Sequence, residues 1–177
     1  MIRVALVLAL VQPSVWGFAV WDTGAGARYH SYTEIVEELE RLQQLYPQYV
    51  DLYDAQSRFG LGHPGATPSN PAPRGCDGVP CRQWIVRVTN EETLNVDVSA
   101  INGGSGERPE VFFSGALHGN EQIGPNAMID LVTLLVENRA RARRRAPDDV
   151  WDPWLVRLVD TRVLFFMPMT NSLHSAP

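Results

Sequence analysis

The sequence predicts an α/β fold, a mixed sheet covered by helices on both faces. Three observations predict it. Helical and strand patterns follow the order helix, strand, strand, strand, helix, strand. The stretch Val111-Phe112-Phe113-Ser114-Gly115-Ala116 is almost continuously apolar, as in a strand with helices over each face of a parallel or mixed sheet. Apolar residues make up 45% of the 177 and charged residues 20%, a globular balance in a chain long enough for one domain with a real core.

Residues 1–17 read as a secretory signal. Arg3 supplies the positive start, Val4 to Val11 the apolar stretch, and Pro13-Ser14 the break before Val15-Trp16-Gly17; a cut after Ala19 is nearly as good. Residues 18–177 then form the mature domain, expected to be secreted. Losing Arg3 with the signal takes the net charge from −5 to −6.

The first helix opens at Ser31, where Ser31-Tyr32-Thr33-Glu34 has the spacing of a capping box. Ile35, Leu39, Leu42 and Tyr46 recur at helical intervals, and Pro47 ends the segment. Val50 to Ala55 read as a short strand. Residues 57–82 form a loop rich in Gly and Pro. Within it, Cys76 and Cys81 are two cysteines in a turn-forming context, and an oxidising compartment favours a local disulfide. Zinc ligation by this pair would need a second pair that the sequence lacks. The short loop it closes limits the expected stabilisation to about 2 kcal/mol.

Gln83 to Thr89 alternate as a strand with Trp84, Val86 and Val88 on one face. Residues 90–109 are polar. Their cluster Gly103-Gly104-Ser105-Gly106 lacks the lysine and spacing of a phosphate loop and reads as a connector. After the apolar strand, Pro125 suits the first turn of a second amphipathic helix, with Met128, Leu131 and Leu135 on one side and Val132 and Val136 beside them. Leu155 to Val159 suggest a short helix and Arg162 to Met167 a last buried strand. The final nine residues show no element.

Composition excludes several classes. A net charge of −5 argues against a general nucleic-acid binder. Arg139, Arg141, Arg143, Arg144 and Arg145 suit the carboxyl end of a helix and lack interleaved aromatics. No apolar run after the signal reaches membrane-spanning length, so no membrane partner is expected. No Gly-x-Ser-x-Gly or activated cysteine points to nucleophilic catalysis.

The chemistry concentrates in Gly115-Ala116-Leu117-His118-Gly119-Asn120-Glu121-Gln122-Ile123-Gly124-Pro125, between a strand's carboxyl end and a helix. His118 offers an imidazole nitrogen and Glu121 a carboxylate three residues on, with Gly119 allowing the turn between them. Such a pair reaches a Zn²⁺ ion at about 2 Å from each donor. A lone His-x-x-Glu is also what a hydrogen-bonded loop histidine beside a helix start looks like; the flanking strand, glycines and helix favour the metal.

Phe113-Ser114-Gly115-Ala116-Leu117-His118-Gly119-Asn120-Glu121 closely resembles the first zinc-binding segment of the metallocarboxypeptidases of the carboxypeptidase A and B family. Tyr29-His30-Ser31-Tyr32-Thr33-Glu34-Ile35 with Tyr46-Pro47 is similar to that family's first helix, and Arg162 to Asn171 to a strand leading into an Asn-Pro-Asp-Gly turn. The resemblance implies that His118 and Glu121 are two of three protein ligands to one Zn²⁺, that the substrates are peptide or protein C-termini, and that the reaction is metal-assisted peptide hydrolysis. It also implies that residues 18–177 are the amino-terminal part of such a catalytic domain.

The resemblance stops after Asn171, where Ser172-Leu173-His174-Ser175-Ala176-Pro177 replaces Pro-Asp-Gly. The family's second histidine ligand, carboxylate-binding arginines and catalytic glutamate have no counterpart here. His30, His63 and His174 are expected to face solvent. The chain is therefore expected to be inactive or weakly active, with an unpaired sheet edge and exposed apolar surface. The alternative is a non-catalytic, carboxypeptidase-like binding module.

Overall fold

The computed structural model describes residues 29–99 and 106–174; the signal expected over residues 1–17 and the glycines at 103 and 104 lie outside them. Four strands form one mixed sheet: β1 (Val50–Asp54), β2 (Trp84–Val88), β3 (Glu110–Ser114) and β4 (Val163–Met167). Their spatial order is β1-β2-β4-β3. β1 with β2 and β2 with β4 run antiparallel, whereas β3 and β4 run parallel. The parallel pair is joined by the long helix α3 (Ile123–Arg144) and by α4 (Pro153–Thr161), since adjacent parallel strands need a crossover. Two more helices precede it, α1 (Tyr32–Leu45) and the short α2 (Ala55–Phe59).

Helix α1 starts as its residues dictate. Ser31 accepts the Glu34 N–H, and the Glu34 carboxylate accepts the Ser31 N–H. Ile35, Leu39 and Leu42 are buried on its inner face. Helix α4 is capped by Asp152, which accepts the Trp154 N–H, with Pro153 in its first turn. It thus extends two residues to either side of the expected Leu155 to Val159. The stretch read as the start of the long loop holds α2, capped by Asp54 through the Ser57 N–H at 2.8 Å and closed by Gly60 at φ +64°. These two short-range caps set a single helical turn that apolar spacing does not reveal.

The core lies between the helices and one face of the sheet. Val50, Val86, Val88, Leu164 and Phe166 cluster with Ile35, Leu39 and Leu42 of α1, with Ile129, Val132, Leu135 and Val136 of α3, and with Val159 of α4. The pairings Val50 to Val88 to Leu164 and Val86 to Phe166 put all five strand residues on that face. Phe113 joins its edge, stacked on Phe166 at 4.7 Å. The opposite face carries Tyr53, Ile85, Phe165, Met167 and Phe112 by the same alternation.

The expectation that β3 is covered on both faces is corrected here. β3 is an edge strand among the described residues, with Val111 38% and Phe112 58% exposed. Its apolar run reads like a central strand because both faces are apolar, but sequence does not say which neighbours arrive to cover them.

Cys76 and Cys81 are disulfide-bonded as expected, with Cα atoms 5.1 Å apart. The arginines at the end of α3 meet carboxylates: Arg139 with Asp160, Arg141 with Glu137, Arg143 with Glu92 and Arg144 with Asp149.

Candidate metal centre

The loop between β3 and α3 is shaped by close backbone packing. A Cβ on Gly115 would lie 2.7 Å from the Pro168 carbonyl oxygen, so only glycine fits without displacement. Ala116 follows at φ +43°, a left-handed conformation that a residue with a Cβ keeps only when its surroundings enforce it. The enforcement is visible. Thr170 N–H donates to Gly115 O and Asn171 N–H to Ala116 O, each at 3.1 Å, and Gly115 N–H donates to Met167 O. The Ser114 and Thr170 hydroxyls meet at 2.7 Å.

His118 and Glu121 are brought together. His118 Nδ1 lies 2.9 Å from Glu121 Oε1, and the His118 N–H reaches Glu121 Oε2 at 3.3 Å. The Glu121 N–H donates to His118 O, closing a single turn between them. Both side chains are exposed, 74% and 56%. Hydrogen bonding to Glu121, reinforced by its charge, raises the His118 imidazole above its ordinary value, and the same bond lowers the Glu121 carboxyl. An open cavity of about 610 Å³ adjoins Glu121 but not His118, lined by Tyr29, Ser114, Gly115, Leu117, Glu121 and neighbours. Leu117 and Ile123, 64% and 70% exposed, flank the loop with apolar surface.

An imidazole nitrogen and a carboxylate oxygen are donor types that zinc accepts, and here the two atoms face each other as a hydrogen bond of 2.9 Å. They are two donors, where zinc sites with protein ligands use three or four. Among the described residues, no group of three or more His, Cys, Asp or Glu could hold a metal. The other histidines do not complete the set. His30 is exposed, and its N–H donates to Asn126 Oδ1 at 3.3 Å. His63 is half-buried, with Nδ1 3.0 Å from Cys81 O, so it serves the disulfide loop rather than facing solvent freely. His174 ends a short 3-10 turn, and its side chain lies outside the described set.

Sequence reasoning missed two supports. Asn126 is buried; its Nδ2 donates to Gln122 O while its Oδ1 accepts from His30, tying the start of α3 to the approach to α1. A polar residue at an otherwise core-facing helix position was the available signal. The second support is residues 170–173, expected to form no element. Ser172 is fully buried and begins the 3-10 turn Ser172–His174. No local pattern marks it, because its partners are about a hundred residues away.

Comparison with known proteins agrees with this architecture. Solved structures that align with the chain include thrombin activatable fibrinolysis inhibitor, at 15% identity and TM-score 0.53 over 84% of this chain and 27% of that one. Carboxypeptidase A from Helicoverpa armigera aligns at 16% identity and TM-score 0.42, over 82% of this chain and 25% of that one. Bovine thrombin-activatable fibrinolysis inhibitor, solved in complex with tick carboxypeptidase inhibitor, aligns at 14% and TM-score 0.44, over 84% and 33%. The chain thus spans about a third or less of the length of these structures. No curated protein matches it. The sequence profile described as Zinc carboxypeptidase matches residues 35–172, a stretch that contains the His118–Glu121 loop and all four strands. The chain belongs to the zinc carboxypeptidase family.

Proposed function

We propose that residues 18–177 are the amino-terminal part of the catalytic domain of a secreted zinc metallocarboxypeptidase, acting on the C-termini of peptides or proteins. His118 and Glu121 would hold one Zn²⁺ as two of its protein ligands. The observation that carries this reading is the convergence of His118 Nδ1 and Glu121 Oε1 to 2.9 Å on a loop beside an open cavity, inside the matched family segment. Bound zinc supplies Lewis-acid polarisation of a carbonyl and a water of lowered pKa, near 7. The chain's own part is to hold the two donors. Gly115 and Ala116 fix the loop's exit from the sheet, and Leu117 and Ile123 border it with apolar surface.

With two donors, the 177 residues alone are expected to turn over slowly or not at all. The test uses two peptides of one sequence, one with a free C-terminus and one amidated, incubated with zinc and the chain. Any cleavage is expected to release a single terminal residue from the free peptide only, and to vanish in Glu121→Gln. Equal cleavage of both peptides, or cleavage indifferent to that substitution, contradicts the reading. The donor count among the described residues favours a second reading, a non-catalytic carboxypeptidase-like module. Retention of the free peptide without cleavage would support it.

A further inference from the structure

The disulfide loop reaches the candidate centre without touching it. Cys76 and Cys81 are buried, 2% and 0% exposed, and both sulfurs face Ser172 O, at 2.9 and 3.8 Å. A disulfide sulfur has no hydrogen to donate, so this contact is close packing of sulfur on a carbonyl. Beside it, Leu173 seats its side chain where two glycines lack a Cβ. A Cβ on Gly75 would come within 2.8 Å of Leu173 Cδ1, and one on Gly65 within 3.0 Å of Cδ2. The loop is itself fastened to the first turn of α1. Asp77 Oδ2 accepts the Thr33 N–H at 2.9 Å, and the Arg82 N–H donates to the Tyr32 hydroxyl at 3.0 Å.

Immediately before Ser172 stand the two amides that hold the candidate loop: Thr170 N–H on Gly115 O and Asn171 N–H on Ala116 O. We infer that the Cys76–Cys81 loop is the clamp that positions the His118–Glu121 loop, with Leu173 as its positioning residue. The clamp pins residues 172–173. These fix 170–171, whose amides hold Gly115 and the left-handed Ala116 in the bend that leads to His118. The chain of contacts runs from one end of the sequence's long Gly/Pro loop to the site: its two outer links join segments far apart in sequence, and the link between them is the continuous backbone of residues 170–173. The inference concerns how the loop is held, so it stands or falls separately from zinc binding.

Residue-resolved amide hydrogen exchange on the 177-residue chain tests it, with the β2 amides as the reference for global opening. In Leu173→Ala and in the Cys76→Ala/Cys81→Ala pair, exchange at Thr170, Asn171 and Glu121 should speed up about tenfold or more relative to β2, as local opening does. Leu173→Met, which refills the space between the two glycines, should restore slow exchange. If the cysteine pair opens the whole fold, the two Leu173 variants decide. Unchanged exchange at those three amides in Leu173→Ala, or acceleration only in step with β2, overturns the inference.

Discussion

His118 and Glu121 face each other across 2.9 Å in the open, so the proton on one and the charge on the other are linked. The imidazole is raised above its ordinary 6.5 by the Glu121 hydrogen bond, so its contribution to folding is complete below 6.5 and is lost as pH rises through the raised value. The carboxyl is lowered from 4.5 by the same bond, so its contribution is present above 4.5 and is lost as pH falls through the lowered value. A proton NMR titration of His118 is expected to give a midpoint above that of a free histidine, and Glu121→Gln to bring it down. An unchanged midpoint in the variant would remove the pairing. Metal competes with the same proton, so zinc affinity should climb as pH rises through that midpoint and then level off. Gly115 sets the second expectation at this scale. Gly115→Ala forces a methyl to within 2.7 Å of Pro168 O, and the clash should cost about 1–3 kcal/mol in denaturant unfolding. The His-x-x-Glu pair was legible in the sequence because its geometry is made within one turn. The links from buried Asn126 to His30 and from Ser172 to Cys76 were not, since each spans 96 residues of sequence.

Elements built on local rules came out of the sequence well. The α1 capping box is read directly from Ser31 and Glu34, and both of its hydrogen bonds are present. Ser31→Ala should therefore cost about 1 kcal/mol, measured as a shift of the unfolding midpoint. Leu39 sits on the buried face of the same helix at 0% exposure, so Leu39→Ala should cost more, about 2–5 kcal/mol through lost burial and the cavity left behind. If the two losses were equal, the helix would owe its place to capping rather than to packing. Elements whose type depends on tertiary position were harder to read. β3 looks covered on both faces by composition, yet Val111 and Phe112 are exposed and it is an edge strand among the described residues; α2 is a single turn set by the Asp54 and Gly60 caps rather than by periodicity.

At the scale of the whole molecule, among the described residues α1, α3 and α4 pack on one face of the mixed sheet, and Phe112 of β3 is exposed on the other. An apolar edge of this kind pairs readily with another chain. Concentration-dependent association is therefore expected by light scattering, and Phe112→Lys should reduce it without lowering the thermal midpoint. The mixed α/β architecture and the disulfide were both legible in the sequence. What sequence could not supply was the strand order β1-β2-β4-β3, because pairings between distant strands leave no local pattern. The proposal that joins these scales is that the loop leaving β3 would offer one imidazole and one carboxylate to a single zinc ion. The most direct measurement follows the NMR signals of His118 and Glu121 while zinc is added, in the wild type and in His118→Ala and Glu121→Ala. One zinc per chain should shift both residues together, and either substitution should abolish the shift of the other. Zinc that binds equally well without them, or that leaves both signals in place at saturation, would contradict it.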